Sequence, residues 1–292
     1  MSAFPRSLLT GRKPPLGSAL LSNHPLASLM CGAYLLNESG AEFVNSTGLW
    51  QGDAATSAIL TNGAAGWNGG RPCDKGPGVR FDGTGYLTAG NPSQAYDTNT
   101  TGLQPGFSLA IKFRITTVPG GGVGIVSLGN IAAETQPAYL LQCNGGTNIR
   151  ALVGDVAYQV VLTTPVASIW YTIVSTFSNL LTNNKAGTES HYLGTGGASQ
   201  IYSGALTTSA GAGTMVGQSL WLASGFNGAL AMDCEYLYIW DRCLTYREAL
   251  DVIIDPYQMW DYSKPRSILK PAAAAGTAFN PYYYRHLAGG AV

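Results

Sequence analysis

Between Phe107 and Ile115 the chain alternates with a period of two: Phe107, Leu109, Ile111, Phe113 and Ile115 are apolar, and Ser108, Ala110, Lys112 and Arg114 fall between them. Successive side chains of a strand point to opposite faces, so this segment predicts a strand with one buried and one wet face. Shorter apolar runs over 79–88, 123–129, 138–143, 147–153, 156–163 and 169–177 read the same way, because Gly, Asn and Pro punctuate them at short intervals. In the run 229–240, strict alternation puts Leu230, Met232, Cys234, Tyr236, Tyr238 and Trp240 on a core face and Ala231, Asp233, Glu235, Leu237 and Ile239 on the other. One helix is predicted. Thr245 and Glu248 have the spacing of a capping box, Ala249, Leu250, Val252, Ile253 and Ile254 follow, and Asp255-Pro256 ends the segment. Many strands, one short helix and no alternation of strands with helices predict an all-β fold, a two-sheet antiparallel sandwich of jelly-roll type. No fixed-period repeat supports a propeller or solenoid.

Composition narrows the function classes. The 292 residues suffice for a full core without staples, and a hydrophobic fraction of 46% excludes wholesale disorder. Only 11% of residues are charged, with 16 basic and 16 acidic, which argues against a nucleic-acid binder. No run reaches the ~18 apolar residues of a membrane span, and the opening MSAFPRSLLTGRKPP carries too short an apolar stretch for a secretory signal. Folding in a cytoplasm, without a membrane partner, is therefore expected. Cys31, Cys73, Cys143, Cys234 and Cys243 are dispersed and odd in number, and read as reduced, buried small hydrophobes.

The neutral total conceals an asymmetry. Residues 1–28 carry Arg6, Arg12 and Lys13, residues 262–292 carry Lys264, Arg266, Lys270 and Arg285, and neither segment holds an acidic residue. Residues 29–261 keep nine basic and all 16 acidic side chains, so basic ends flank an acidic body. Both ends are rich in proline, which blocks helix and central-strand continuation, yet they hold Phe4, Leu8, Leu9, Phe279 and the run Tyr282, Tyr283, Tyr284. This predicts a three-part chain: an extended arm over 1–28, a sandwich over 29–261 and a second arm over 262–292. The fourteen arm residues just named are the expected assembly contacts, and removing either arm is expected to leave the body folded while weakening assembly.

The segments GVRFDGTGYLTAG, FSLAIKFRI, WYTIVSTF and FNGALAMDCEYLYIWDRCLTYREALDVI resemble the ordered segments of laminin-G-like, concanavalin-A-like jelly-roll domains. The flanks KPPLGSALLSNHPLASLMCGAYLLNESG and DPYQMWDYSKPRSILKP look like those seen around such domains in bacteriophage structural proteins. The resemblance implies a sandwich used for binding or structural decoration. It suggests a noncatalytic virion protein, a capsid decoration or head-associated component. Its implied partners are the major capsid protein, other virion proteins and further copies of itself, with surface glycan as another partner, and its implied place is the virion, assembled in the host cytoplasm. The alternative is a soluble carbohydrate-binding module, and a third reading is a glycan hydrolase of the same superfamily.

Candidate chemistry along the chain is sparse. Glycoside hydrolysis needs a carboxylate pair across the scissile bond, and Asp233 and Glu235 share a strand face, but the position two residues earlier is Ala231. Their expected role is sheet-face solubility. His24, His191 and His286 fall in predicted loops or arms, away from any nucleophile elbow. No enzyme activity and no cofactor are expected. Calcium is the one ion considered, with Asp82, Asp97, Asp155 and Asp233 as conceivable ligands. Asp82 in FDGTG reads first as a turn former. For sugar binding, Trp50, Trp67, Trp221 and Tyr96 are the candidate aromatic platforms.

Overall fold

The structure, a computed structural model, describes residues 13–15, 18–37, 42–43, 60–62, 67–90, 103–104, 106–129, 137–153, 155–178, 180–181, 187–195, 198–206, 219–225 and 228–265. In chain order its strands are β1 (Ser18–Leu20), β2 (Met30–Tyr34), β3 (Glu42–Phe43), β4 (Leu60–Asn62), β5 (Trp67–Pro72), β6 (Pro77–Asp82), β7 (Leu87–Gly90), β8 (Leu103–Gln104), β9 (Phe107–Ile115), β10 (Gly122–Gly129) and β11 (Pro137–Asn144). They continue with β12 (Asn148–Val153), β13 (Asp155–Thr163), β14 (Trp170–Ser178), β15 (Leu180–Leu181), β16 (Gly187–Thr195), β17 (Ala198–Leu206), β18 (Ser219–Leu222), β19 (Ser224–Gly225), β20 (Gly228–Ala229), β21 (Ala231–Trp240) and β22 (Trp260–Pro265). A 3-10 turn (Pro25–Ala27) and helix α1 (Tyr246–Ile254) complete the described elements.

Two large antiparallel sheets make the sandwich. The first runs β17-β16-β14-β9-β21-β6-β5, with β2 also on β21, and the second runs β13-β12-β11-β10-β18-β7-β4-β3. The all-β sandwich expected from the alternation is the fold. Between the sheets lies a core to which the first contributes Phe81, Leu109, Ile111, Phe113, Ile173, Leu237 and Ile239, and the second Leu87, Ile125, Leu141, Ile149, Leu220 and Leu222. The β9 register is the predicted one, with Phe113 fully buried. The capping box of α1 is also present, with Thr245 accepting from the Glu248 amide and Glu248 accepting from the Thr245 amide.

The expected face assignment of β21 fails halfway. Cys234 pairs with Phe113 and Tyr236 with Lys112, so Glu235 is one residue too many for the ladder, a β-bulge. A single inserted residue exchanges the faces of everything beyond it. Met232 and Cys234 point into the sandwich, but so do Leu237 and Ile239, while Tyr236, Tyr238 and Trp240 turn to the outer face.

That outer face is covered, which is the second departure from expectation. Ala110, Val174, Tyr192, Tyr236, Tyr238 and Trp240 form a second apolar cluster with Leu26, Leu244, Ala249, Val252, Tyr257, Met259 and Trp260. Tyr236 and Tyr238 stack at 4.5 Å, the Trp240 indole donates to the Leu26 carbonyl at 2.6 Å, and the Trp260 indole donates to the Tyr238 hydroxyl at 3.2 Å. The supposedly wet positions of β9 are consequently sheltered: Ser108 is 0% and Lys112 7% exposed.

From residue 13 onward the described N-terminal residues, expected as an arm lying on the body or on neighbouring subunits, are part of this arrangement. β1 pairs with β22, the 3-10 turn packs Leu26 on the outer cluster, and β2 pairs with β21. β6 pairs with Ala231–Cys234 of β21 and β2 with Leu237–Trp240, opposite the edge held by β9, so the bulge leaves a gap between them. Lys13, expected at a partner surface, is buried there. Its ammonium donates to the Glu235 carbonyl at 2.5 Å and to the Pro77 carbonyl, taking the place of the ladder donors that the bulge removes. Of the other expected arm contacts, Lys264 falls in β22. Phe4, Arg6, Leu8, Leu9, Arg12, Arg266, Lys270, Phe279, Tyr282, Tyr283, Tyr284 and Arg285 lie outside the described residues.

Candidate functional site

Four neighbouring strands of the first sheet carry a lateral row of polar side chains on the outer face. In register, Arg80 of β6 sits opposite Asp233 of β21, Asp233 opposite Arg114 of β9, and Arg114 opposite Trp170 of β14. Asp233 is fully buried and receives four N–H bonds. Arg80 donates Nε to Oδ1 at 2.6 Å and Nη2 to Oδ2 at 3.0 Å, and Arg114 donates Nε and Nη2 to Oδ2 at 3.1 and 2.5 Å. The Arg114 guanidinium lies 5.0 Å from the Trp170 ring centroid, within cation–π range. Both arginines spend the same edge, Nε with Nη2, on Asp233, and among the described residues no acceptor is bonded to either Nη1.

The row ends at an open depression of about 370 Å3 lined by Arg80, Phe81, Asp82, Arg114, Thr116, Thr117, Ser168 and Ala231. Its rim is shaped by turn chemistry. Asp82 accepts from the Thr84 amide at 2.9 Å and the Thr84 hydroxyl at 2.8 Å, which is the turn-forming role read from FDGTG. Across the depression, Ser168 is held at φ 66° while its amide donates to the Ile115 carbonyl at 2.8 Å. A serine in the left-handed region is uncommon and fixes this loop against the end of β9.

A second charged group lies one residue along. Glu235, fully buried, accepts from the Tyr257 hydroxyl at 2.5 Å, from the Lys112 ammonium at 3.3 Å and from the Lys75 amide at 3.2 Å, and Lys112 also reaches Asp74 at 2.6 Å. The expectation that Asp233 and Glu235 serve sheet-face solubility is therefore corrected. Both are ion-paired out of solvent, Asp233 under the guanidiniums of Arg80 and Arg114 and Glu235 at the bulge under Lys112 and Tyr257.

For Asp233, burial alone would raise the carboxyl, but the bonds and positive charges of Arg80 and Arg114 outweigh it and hold the group below the ordinary aspartate value. Burial likewise opposes, and Arg242 and Thr245 overcome, the ionisation of Glu248, which is also lowered. A carboxylate that titrates lower in the folded chain stabilises it above the unfolded value, and that stabilisation is lost as pH falls through the folded value. Thermal midpoints measured by circular dichroism should hold from about pH 7 to 5 and drop most steeply below about pH 4. A flat profile down to about pH 2.5 would contradict this account.

Of the three histidines expected in loops or arms, His191 departs from that expectation among the described residues. His24 caps the 3-10 turn, and His286 lies outside the described residues. His191 sits in β16, fully buried between the sheets, with Nδ1 2.8 Å from the Ser175 hydroxyl and Nε2 3.2 Å from Glu189. The Tyr139 hydroxyl closes the chain, 2.9 Å from Ser175. Serine, histidine and glutamate stand in the order of an activated nucleophile, but Ser175 is 0% exposed and shared with Tyr139, so the group reads as a satisfied interior network.

Of the conceivable calcium ligands, Asp82 is in its turn and Asp233 is saturated by arginine. Asp155 lies in β13 and Asp97 falls outside the described residues. Of the candidate platforms, Trp221 is half-buried, tilted on Tyr86 at a centroid distance of 5.0 Å. Trp67 lies in β5, and Trp50 and Tyr96 lie outside the described residues. Sequence reasoning missed Arg80, Arg114, Trp170 and Ser168. The only available signal was the placement of Arg114 on the noncore face of β9.

No known family profile matches this chain, and no curated protein does. Solved structures do. It is similar to Trypanosoma rangeli sialidase in complex with sialic acid, at a TM-score of 0.53 and 14% identity over 82% of this chain and 36% of that one. A mutant of the same sialidase displaying trans-sialidase activity gives 0.53 at 13% identity, covering 84% and 37%. An HCR/D mutant gives 0.52 at 10% identity, covering 79% and 52%. The chain thus spans about a third of the sialidases and half of the HCR/D chain. At these identities the likeness is one of fold. The sialidases and the HCR/D chain give no support to the reading as a phage capsid decoration or head-associated protein, and that reading is withdrawn.

Proposed function

We propose that this chain is a noncatalytic, lectin-like sandwich of the laminin-G, concanavalin-A jelly-roll type that binds glycan at the depression beside Arg80 and Arg114. The observation that carries the reading is the depression itself. It is open, shallow and mostly polar, with hydroxyls from Thr116, Thr117 and Ser168, guanidinium donors from Arg80 and Arg114 and a carboxylate acceptor from Asp82. A sugar ring presents alternating donors and acceptors over a small apolar face, and these groups answer it from strand ends that do not need to be ordered on binding. The fold shared with part of a protein bound to sialic acid agrees with the reading. The engagement of the two strand carboxylates with Arg80, Arg114, Lys112 and Tyr257 supports binding without hydrolysis.

Screening the purified full chain on a glycan array, followed by calorimetry on the hits, tests the proposal. Saturable binding that falls at least tenfold in Thr117→Trp, which fills the depression from an exposed position, is the expected result. Binding that ignores Thr117→Trp but is lost in Trp221→Ala would move the site to the Tyr86–Trp221 pair on the opposite sheet. Absence of any glycan binding would overturn the reading.

A further inference from the structure

We infer that the sugar taken by this depression carries a carboxylate, which lies on the exposed sides of Arg80 and Arg114 while Asp82 accepts from ring hydroxyls. The inference rests on the glycan-binding reading and adds the class of sugar.

Charge comes first. The row holds two guanidiniums against one buried carboxylate, Asp233, so one positive charge is left uncompensated there. In the neighbouring group Lys112 is paired with the Glu235 and Asp74 carboxylates, while Lys13 donates to the Glu235 and Pro77 backbone carbonyls. Asp82, the acidic residue lining the depression, is kept ionised by its bonds from Thr84 and balances the row's uncompensated charge over the depression as a whole, so what is left for a ligand is the exposed guanidinium edges. Those edges face the opening, because the side chains of Arg80 and Arg114 are 41% and 26% exposed whereas Asp233 is 0%.

Geometry comes next. A guanidinium recognises a carboxylate through parallel N–H bonds, and among the described residues no acceptor meets the Nη1 of Arg80 or of Arg114, each on the side away from Asp233. Long side chains normally lose rotamer entropy when they grip a ligand. Here Asp233 fixes both arginines and Trp170 supports Arg114, so the donors are already ordered. A purely neutral sugar would leave these ordered guanidinium edges to water. Uronic acids and nine-carbon keto-acid sugars such as sialic acid share the required chemistry, a planar carboxylate on a polyhydroxylated ring.

Calorimetry with the full chain at low salt separates the outcomes. The probes are sialyllactose, its carboxyl methyl ester, a glucuronate-terminated disaccharide, lactose, and lactose bearing a sulfate. At least one of the two carboxylated sugars is expected to bind at least tenfold tighter than lactose, and its methyl ester should lose that advantage. Which one binds identifies the source of the carboxylate. Arg80→Gln, which leaves Arg114 on Asp233, should abolish the preference while the thermal midpoint shows that the fold is retained. If that variant does not fold, the ester comparison on the unaltered chain still decides. Equal binding of acid, ester and lactose would overturn the carboxylate assignment and leave the glycan reading standing. Preference for the sulfated sugar would overturn it in the same way. No binding of any saccharide here or on the array would remove both.

Discussion

A chain shortened by residues 1–28 is expected to lose cooperative folding instead of yielding a clean sandwich. The deletion removes Leu26 from the outer cluster, and burial of such a side chain is worth about 1.5–3 kcal/mol. It also strips the acceptor from the buried Trp240 indole, which costs about 1–3 kcal/mol as an unsatisfied interior donor. Lys13 leaves the Glu235 and Pro77 carbonyls, Arg242 loses the Pro25 and Ser28 carbonyls at 2.9 Å each, and β22 loses its partner β1. Together these approach the whole net stability of an ordinary domain, about 5–15 kcal/mol. Urea unfolding followed by tryptophan fluorescence, with dye binding as a probe of exposed apolar surface, is the measurement. A truncated chain that unfolds at the same midpoint as the full one would show that the N-terminal segment merely rests on the body. The proline content of that segment suggested a detachable arm, but proline forbids only regular continuation and says nothing about what the segment packs against.

Glu235→Ala is expected to destabilise by roughly 3–5 kcal/mol, the range for breaking a buried ion pair from one side. The Tyr257 hydroxyl loses its 2.5 Å acceptor, the Lys75 amide loses its own, and Lys112, 7% exposed, keeps only Asp74. At about 2–4 °C per kcal/mol for a chain of this class, the thermal midpoint should fall by on the order of 10 °C. Glu235→Gln, which retains an acceptor oxygen for Tyr257, should lose markedly less. A loss under about 1 kcal/mol for the alanine variant would mean that Glu235 is solvated and the covering of this face is loose.

Much of the fold was legible because its signals are local. The period-two pattern of β9 depends only on neighbours in the chain, and so do the Thr245–Glu248 cap and the Asp82–Thr84 turn, each closed within three residues. The β21 pattern was legible up to Cys234 and misleading beyond it, since a bulge is an extra residue measured against a partner strand over a hundred positions away and leaves no periodicity of its own. The candidate site was not legible at all. Arg80, Arg114, Trp170 and Asp233 form one row because four strands align in register, Asp233 is shielded by the two arginines beside it, and Glu235 is interior because residues 18–28 and 244–260 fold over a sheet face that alternation marks as wet. The sequence by itself determined that the chain forms strands and buries one face of each. Which second face is also buried, and which charges meet across it, was decided by tertiary contacts, because burial of a polar residue depends on what distant segments cover it and on the partners they bring.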